Sequence, residues 1–553
     1  MNNKYLKYFL VGYLLLIPVI IFIYFLKYRA TSIYSDDIAS YMTYFAQTNT
    51  WDKLNLSRLY QQFRPVRDLA LHLMLGTFKK QIYAYYIFNV LMLALNTYVF
   101  ARIINYILKA PLLSLTLALL LPLSRFSYYA ATQLFIGGLM EGIALVFSLV
   151  SVLFLMKIMT EEKTEPDKRQ SSAVLWSILF ANLSMYTHER YMVVLAFIAG
   201  VALFFPWLRL TILARIGLAT LSSLSVYLNF FLKKNVFHVA VMQGTGGANI
   251  EFSIPSIKTF FGEAIYSIFQ VNTGPSYICG MPYAALQPLT QKTVMVAVAL
   301  LVVAIVGLLF AFAAASVRHF RRRENGSGSF TGYVADLQNN PSIRNGVIAF
   351  FLSGLFLLLL IPAIVTIRVE QRFLLAPFCI LVIIVAIAAK AIFLDRQLLR
   401  ATALMVVVLV CTFNDYHYLQ GTKNLYYSST DNAAIAFHDA METGVIRPEA
   451  TNLYIWEKHR NPDREREIGW VIGGGNLFVI YQGANKNMVY LDSLYQKTDS
   501  AYNYALAGFD KKNSQVIFLN IENNGDAFRY TIQDITLGYL TDTLRTFIDT
   551  LKK

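Results

Sequence analysis

Long apolar runs recur along most of the chain, and they constrain its fold more than any other feature. Each covers roughly 17–25 residues, the length that a helix needs to cross the hydrocarbon core of a bilayer. The runs lie at residues 9–26, 82–108, 111–129, 134–157, 172–187, 191–208, 213–232, 293–316, 346–366, 373–392 and 400–414. The pattern predicts a polytopic α-helical membrane protein with about 11 transmembrane helices.

The composition agrees with this fold class. Of the 553 residues, 56% are hydrophobic and only 15% are charged, whereas soluble domains carry about 25% charged residues. The net charge of +15 could suit a nucleic-acid partner. However, much of the excess falls in short loops between the apolar runs, where it reports membrane orientation. We therefore predict no nucleic-acid partner.

The cysteines and the N-terminus add two constraints. Cys379 and Cys411 fall in apolar runs and Cys279 stands apart from them, so the spacing indicates neither a disulfide framework nor a metal site. The first run follows Lys4 and Lys7 as a signal sequence would. Because it is long and lacks a small-residue cleavage site, we interpret it as a retained first span.

Lysine and arginine indicate the orientation, because basic loops favour the cytoplasm. With the N-terminus inside, the cytoplasmic positions include Lys4, Lys7, Arg102, Lys109, the 157–169 loop, Arg209, Arg215, the basic run 318–323, Lys390, Arg396 and Arg400. The segments left outside are 27–81, 125–133, 187–191, 233–292, 367–372 and everything after about 415. A bacterial cytoplasmic membrane is the predicted location.

Two outer loops are too long to be simple connectors. In loop 27–81, residues 38–45 and 54–63 have helical apolar spacing, and Pro65 suits the first turn of a further helix. Loop 233–292 contains a glycine-rich stretch and an amphipathic segment at 254–269. These segments resemble helices that lie in the membrane interface, and the second loop suits a mobile lid.

The tail differs in kind from the rest of the chain. Its composition is polar, with strand-like runs at 452–456, 477–481, 488–491 and 515–521 and helical patterns at 431–442 and 539–551. This mixture predicts a small C-terminal α/β extracytoplasmic domain over 415–553. Residues 1–414 would then form the transmembrane catalytic domain, since the tail contains no catalytic constellation.

Two adjacent carboxylates, Asp36 and Asp37, follow the first span. A carboxylate can accept the proton of an attacking hydroxyl group. A second carboxylate can tune the first, bind sugar hydroxyls or hold a divalent cation. The alternative is structural, because aspartate is also a good N-cap for a helix that begins at Ile38.

Seven more ionisable residues stand at span boundaries on the same predicted face. They are Arg64, His188, Glu189, Arg190, Arg368, Glu370 and Arg372. Arginine pairs with phosphate in a forked geometry and stays charged at any working pH. The structural alternatives remain open: Arg64 could snorkel to lipid headgroups, the 188–190 turn could be solvated, and the 368–372 segment could pair with itself.

This ordered set resembles the GT-C glycosyltransferase superfamily over roughly residues 1–410. The superfamily includes dolichol-phosphate-sugar transferases, protein O-mannosyltransferases and the lipid A aminoarabinose transferase. The resemblance rests on Asp36-Asp37, Arg64-Pro65, His188-Glu189 and Glu370-Gln-Arg372-Phe373 followed by Pro377. The His-Lys pair before the last motif is missing here, and Asp-Asp replaces the commoner Asp-Glu, which leaves open which carboxylate is the base.

The resemblance implies an inverting transfer from a polyprenyl-phosphate sugar to a lipid, polysaccharide or protein acceptor. It implies Asp36 as the base beside Asp37, and a donor phosphate held by Arg372, Arg64 and Arg368. His188, Glu189, Arg190 and Glu370 would position the substrates. No metal site is assigned, and Mg²⁺ or Mn²⁺ stays open as a cofactor. The alternatives are a flippase, or a polymerase or ligase of lipid-linked saccharides.

Overall fold

The computed structural model describes most of the chain. It covers residues 33, 36–127, 134–160, 167–241, 250–269, 341–366, 369–393, 396–421, 426–457, 462–490, 512–523 and 528–536, with scattered residues among 11–19 and 288–314. Arg368, the predicted terminal helix at 539–551, the glycine-rich stretch 243–249 and most of the predicted spans 9–26 and 293–316 lie outside the described residues.

The described part is mostly helical. Its α-helices are α1 Asp36–Ala46, α2 Thr50–Lys53, α3 Pro65–Phe78, α4 Ile82–Leu108, α5 Pro111–Ala118, α6 Leu120–Leu123, α7 Ile143–Thr160, α8 Asp167–Thr187, α9 Met192–Phe204, α10 Ile212–Phe231, α11 Ile254–Ile268, α12 Pro341–Val365, α13 Gln371–Ile392, α14 Gln397–Gly421, α15 Tyr426–Glu442, α16 Pro462–Val471 and α17 Asn476–Gln482. Two π-helical segments, Ile136–Gly142 and Leu232–Val236, adjoin α7 and α10.

Five helices in the described ranges are long and apolar enough to cross a membrane. They are Ile82–Leu108, Gly137–Thr160, Ile212–Val236, Arg344–Val365 and Gln371–Ile392. The prediction of an α-helical membrane protein is thereby confirmed, whereas the count of about 11 spans stays a prediction. α13 is buried along nearly its whole length, as expected for a helix that is apolar on every side. It packs against α12 and α4 at the centre of the bundle.

The third apolar run is shorter than the predicted 111–129. α5 ends at Ala118 and α6 at Leu123, and Ser124 has an extended backbone. The physical reason lies in Arg125, which is buried and forms an ion pair with Asp415 of α14. The chain turns there so that the guanidinium group can reach that carboxylate.

The segment 36–78, which the sequence predicts to lie outside, contains the three α-helices α1, α2 and α3 and one 3₁₀ turn. α1 begins at Asp36, so both aspartates lie in its first turn, where a negative charge interacts favourably with the helix dipole. Pro65 opens α3, as predicted. The predicted helix at 54–63 is reduced to a 3₁₀ turn, Leu56–Tyr60, which ends at Gln61 with a left-handed backbone.

The described residues of the tail contain a four-stranded sheet with the strand order β2-β1-β3-β4. Its strands are β1 Asn452–Glu457, β2 Asn487–Tyr490, β3 Ser514–Asn523 and β4 Phe528–Asp534. β1 runs parallel to β2 and β3, and β4 is antiparallel to β3. The predicted α/β tail is therefore present, although the predicted boundary at 414/415 falls inside α14.

One predicted strand is wrong. Residues 477–481 form α17, whose buried side chains Leu477, Phe478 and Ile480 fall on one side of a helix. Gly475 and Gly483 adopt positive φ at its two ends, which sets a helical turn apart from the neighbouring strands. Strand β4 was not predicted.

Candidate active site

A cavity of about 620 Å³ lies where α1, α3, α12 and α13 approach the turn after α8. Its ionisable lining residues are Asp36, Arg64, Arg67, His188, Glu189, Arg190, Lys233 and Arg372. Nearly all of them stand at or next to a helix end, because a helix end lets a polar side chain leave the apolar bundle. Six of the nine predicted site residues therefore meet in one cavity.

The two aspartates have different environments. Asp37 is fully buried and accepts hydrogen bonds from the backbone amides of Leu134 (2.8 Å) and Phe135 (3.0 Å). Asp36 is exposed and lines the cavity. The geometry thus places Asp36 where a substrate can reach it, while Asp37 anchors the start of α1 to the bundle.

Arg64 turns inward instead of snorkelling towards headgroups. Its guanidinium group contacts Glu189 Oε1 at 3.2 Å, and Lys233 Nζ contacts Oε2 of the same carboxylate at 2.5 Å. Burial acts to raise the pKa of Glu189, but Arg64 and Lys233 together hold it below its ordinary value. One carboxylate between two cations leaves a net positive charge beside Asp36.

The 188–190 turn is buried rather than solvated. His188 Nδ1 accepts a hydrogen bond from the Arg190 backbone amide at 3.4 Å, and Arg190 forms an ion pair with Glu141. Burial, and then the nearby charges of Arg64 and Arg372, lower the pKa of His188 well below its usual value. The imidazole is therefore neutral at ordinary pH and can donate a hydrogen bond from one ring nitrogen.

The segment before α13 supplies another cation. Arg372 lines the cavity and forms an ion pair with buried Glu370, so the structural alternative, in which this segment pairs with itself, holds for these two residues. The guanidinium groups of Arg372 and Arg190 lie about 5 Å from the centre of the Phe373 ring. Cation–π contacts of this kind fix the direction of an arginine side chain. Arg368, the third residue predicted in this segment, lies in the undescribed gap.

Three further ionisable residues belong to the site. Arg67 lines the cavity and pairs with Asp68 at 3.0 Å, Lys233 is almost fully buried, and Glu141 projects from the π-helical turn before α7. An acidic residue inside an apolar run is costly and is usually functional. That signal was present in the sequence for Glu141, and Lys233 stood at the end of a predicted span.

The cavity also has an apolar wall. Ile361, Pro362 and Val365 of α12 line it together with Phe252 and Val193. An anionic head and an apolar chain could therefore occupy it side by side.

Within the described ranges, one group of three residues is close enough to share a metal ion: His438, Asp439 and Glu442. This group lies on α15 of the tail, and two of its members are exposed. The carboxylates in and beside the cavity at Glu141, Glu189 and Glu370 are each paired with a cation. We therefore assign no metal site to these carboxylates.

The fold and site define an α-helical membrane protein with a charged, half-apolar cavity at its helix ends. No protein-family profile matches the sequence, and no curated protein sequence matches it. Among solved structures, the chain is similar to the oligosaccharyltransferase of Archaeoglobus fulgidus, crystallised with zinc and sulfate. The two share 10% identity, the match covers 90% of this chain and 69% of that chain, and the TM-score is 0.34. So low a score carries no argument about mechanism.

Proposed function

We propose that the protein is a GT-C-type glycosyltransferase that moves a sugar from a polyprenyl-phosphate donor to an acceptor on the outer face of the membrane. The observation that carries this proposal is the juxtaposition in one cavity of an accessible carboxylate, Asp36, surplus cations and an apolar wall. An acid–base group, a phosphate site and a lipid surface are the three features that such a reaction requires.

In the proposed reaction, the acceptor hydroxyl attacks the anomeric carbon of the donor sugar. Asp36 takes the hydroxyl proton as the new C–O bond forms. The bond between the anomeric carbon and the phosphate oxygen breaks, and its electron pair leaves with the polyprenyl phosphate. Attack opposite the leaving group inverts the anomeric configuration.

The cations have the complementary role. Arg64 and Arg372 stabilise the negative charge that develops on the leaving phosphate. Lys233 shares the Glu189 carboxylate with Arg64, so the positive charge of Arg64 is only partly neutralised. Neutral His188 is suited to a sugar hydroxyl rather than to the phosphate. In a bacterial cytoplasmic membrane the donor lipid would be undecaprenyl phosphate, and the acceptor a lipid, polysaccharide or protein.

Sugar transfer from labelled polyprenyl-phosphate donors in proteoliposomes tests the proposal. We expect Asp36→Asn to lower turnover by about 100-fold or more, as loss of a catalytic base does, with donor binding retained. Arg372→Ala should weaken donor binding. Asp52→Asn, an exposed aspartate on the same outer segment, is the matched control and should behave as wild type.

The rival reading is a flippase for the same lipid-linked saccharide. Transporters place their ionisable residues near the bilayer midplane on broken helices, whereas these charges lie at helix ends. If the donor crosses the bilayer intact and Asp36→Asn moves it at the wild-type rate, the flippase replaces the transferase.

A further inference from the structure

Two residues of the outer segment are buried by the tail. Ile33 and Ile38 are both fully inaccessible, although each lies within four residues of the exposed Asp36. The backbone amide of Ile33 donates a hydrogen bond to the Tyr481 hydroxyl at 3.2 Å. The turn 473–475 and α17 both pack against α1. The tail, which is more than 400 positions away in the sequence, therefore packs against the segment that carries Asp36.

The contact at Ile38 is too close for any residue but glycine. A Cβ atom added at Gly473 would lie 2.8 Å from Ile38 Cγ2, while one added at Gly474 would meet nothing within 4 Å. Both glycines have similar left-handed backbones, with φ of +57° and +61°, a conformation that costs other residues energy. The two positions thus share the backbone strain and differ in the contact with α1.

Successive residues of a helix point about 100° apart, so the first three residues of α1 face three ways. Asp36 faces the cavity, Asp37 receives the amides of Leu134 and Phe135, and Ile38 lies under the tail. The bundle holds α1 on one side and the tail holds it on another. The angle at which the Asp36 carboxylate enters the cavity depends on both contacts.

The ring of Tyr481 is itself fixed. It packs edge-on against His438 of α15, with ring centres 4.7 Å apart. The Tyr481 hydroxyl therefore presents a defined acceptor to the Ile33 amide rather than a freely moving one.

We propose that the tail positions the catalytic carboxylate: Gly473 against Ile38, and Tyr481 against Ile33, set the placement of Asp36. The proposal rests on the proposed function, in which Asp36 is the base. Proton transfer depends steeply on geometry, and a shift of about 1 Å can cost about 100-fold in rate. Gly473, Ile38 and Tyr481 are positioning residues, so their loss should lower kcat and leave the KM for the donor unchanged.

The test compares Gly473→Ala with Gly474→Ala in the full-length protein. We expect Gly473→Ala to lower kcat between about 10- and 100-fold with an unchanged donor KM, and Gly474→Ala to stay within about twofold of wild type. In the double variant Gly473→Ala/Ile38→Ala, the new methyl group at position 473 occupies the space that the Ile38 Cγ2 atom vacates. Although Ile38→Ala alone should lower kcat, we expect the double variant to recover part of the kcat that Gly473→Ala loses. Hydrogen exchange over residues 33–46 should rise in Gly473→Ala and not in Gly474→Ala.

Tyr481→Phe guards against a variant that simply folds poorly, since it removes one hydroxyl without strain. We expect it to lower kcat several-fold at constant donor KM. Equal kcat in the two glycine variants overturns the positioning role. Wild-type kcat in Tyr481→Phe also overturns it if the double variant Gly473→Ala/Ile38→Ala fails to recover kcat. Normal turnover in Asp36→Asn would instead overturn the function itself, so the two failures are distinct.

Discussion

At the scale of single residues, Glu189 balances the electrostatics of the cavity. Its side chain is 19% exposed, while those of its partners Lys233 and Arg64 are 3% and 11% exposed. A buried pair contributes little net stability, but removing one partner leaves an uncompensated charge in a poor solvent. The two cations therefore depend on this one carboxylate.

We expect Glu189→Gln to destabilise the protein by roughly 3–5 kcal/mol, because it leaves Arg64 and Lys233 close together without their carboxylate. Lys233→Met should cost less, because the Arg64–Glu189 pair remains. The double variant Glu189→Gln/Lys233→Met should be more stable than Glu189→Gln alone. Thermal unfolding in detergent measures all three, and strictly additive losses would contradict the coupling.

At the scale of elements, α14 joins the bundle to the tail. Near its end, Asp415 accepts hydrogen bonds from the backbone amide and from Nε of Arg125, both at 3.1 Å. Arg125 and Asp415 are each 1% exposed. The pair fixes the C-terminal end of α14 against the turn after α6, and so fixes the point from which the tail starts.

Asp415→Ala should destabilise the protein by roughly 3–5 kcal/mol, since it leaves the Arg125 guanidinium buried without this carboxylate. Asp439→Ala, which removes a carboxylate whose side chain is 66% exposed, should change stability by less than about 0.5 kcal/mol. Thermal unfolding of the detergent-solubilised protein compares the two. An equal effect of both variants would show that the buried pair does not anchor α14.

The elements differ in how far the sequence predicted them. Long apolar runs predicted α4, α12 and α13, because length and hydropathy alone identify such helices. The short run 477–481 was misread, because periodicity cannot separate a buried strand from a buried helical turn. The glycines at 475 and 483 carried the missing information. β4 was missed although Phe528, Tyr530 and Ile532 alternate with polar residues, which is the pattern of a half-buried strand.

The site follows the same division. The charges at span boundaries predicted that Asp36, Arg64 and Arg372 would share one face, and they line one cavity. The partners Glu141 and Lys233 were not predicted, because their directions depend on the π-helical turns that precede α7 and follow α10. A π-helical turn contains an extra residue, which rotates the side chains that follow it about the helix axis. Sequence spacing alone does not show where such a turn occurs.

At the scale of the whole molecule, the proposed function depends on which side of the membrane the cavity faces. The cavity shares its side with α1, α3 and the tail, and the basic loops predict the opposite ends of the bundle to be cytoplasmic. A polyprenyl-phosphate donor is the suitable sugar carrier for a cavity that faces outward, where nucleotide-linked sugars are absent.

Labelling of single cysteines in intact cells tests this orientation. In a variant with Cys279, Cys379 and Cys411 replaced by alanine, we expect Asp52→Cys on the outer segment to react with a membrane-impermeant maleimide. Arg209→Cys should react only after permeabilisation. Both positions are exposed, so a difference in labelling reports the side of the membrane and not burial. The reverse pattern would show that the cavity faces the cytoplasm. A nucleotide-linked sugar could then reach Asp36, and the reason for proposing a lipid-linked donor would no longer hold.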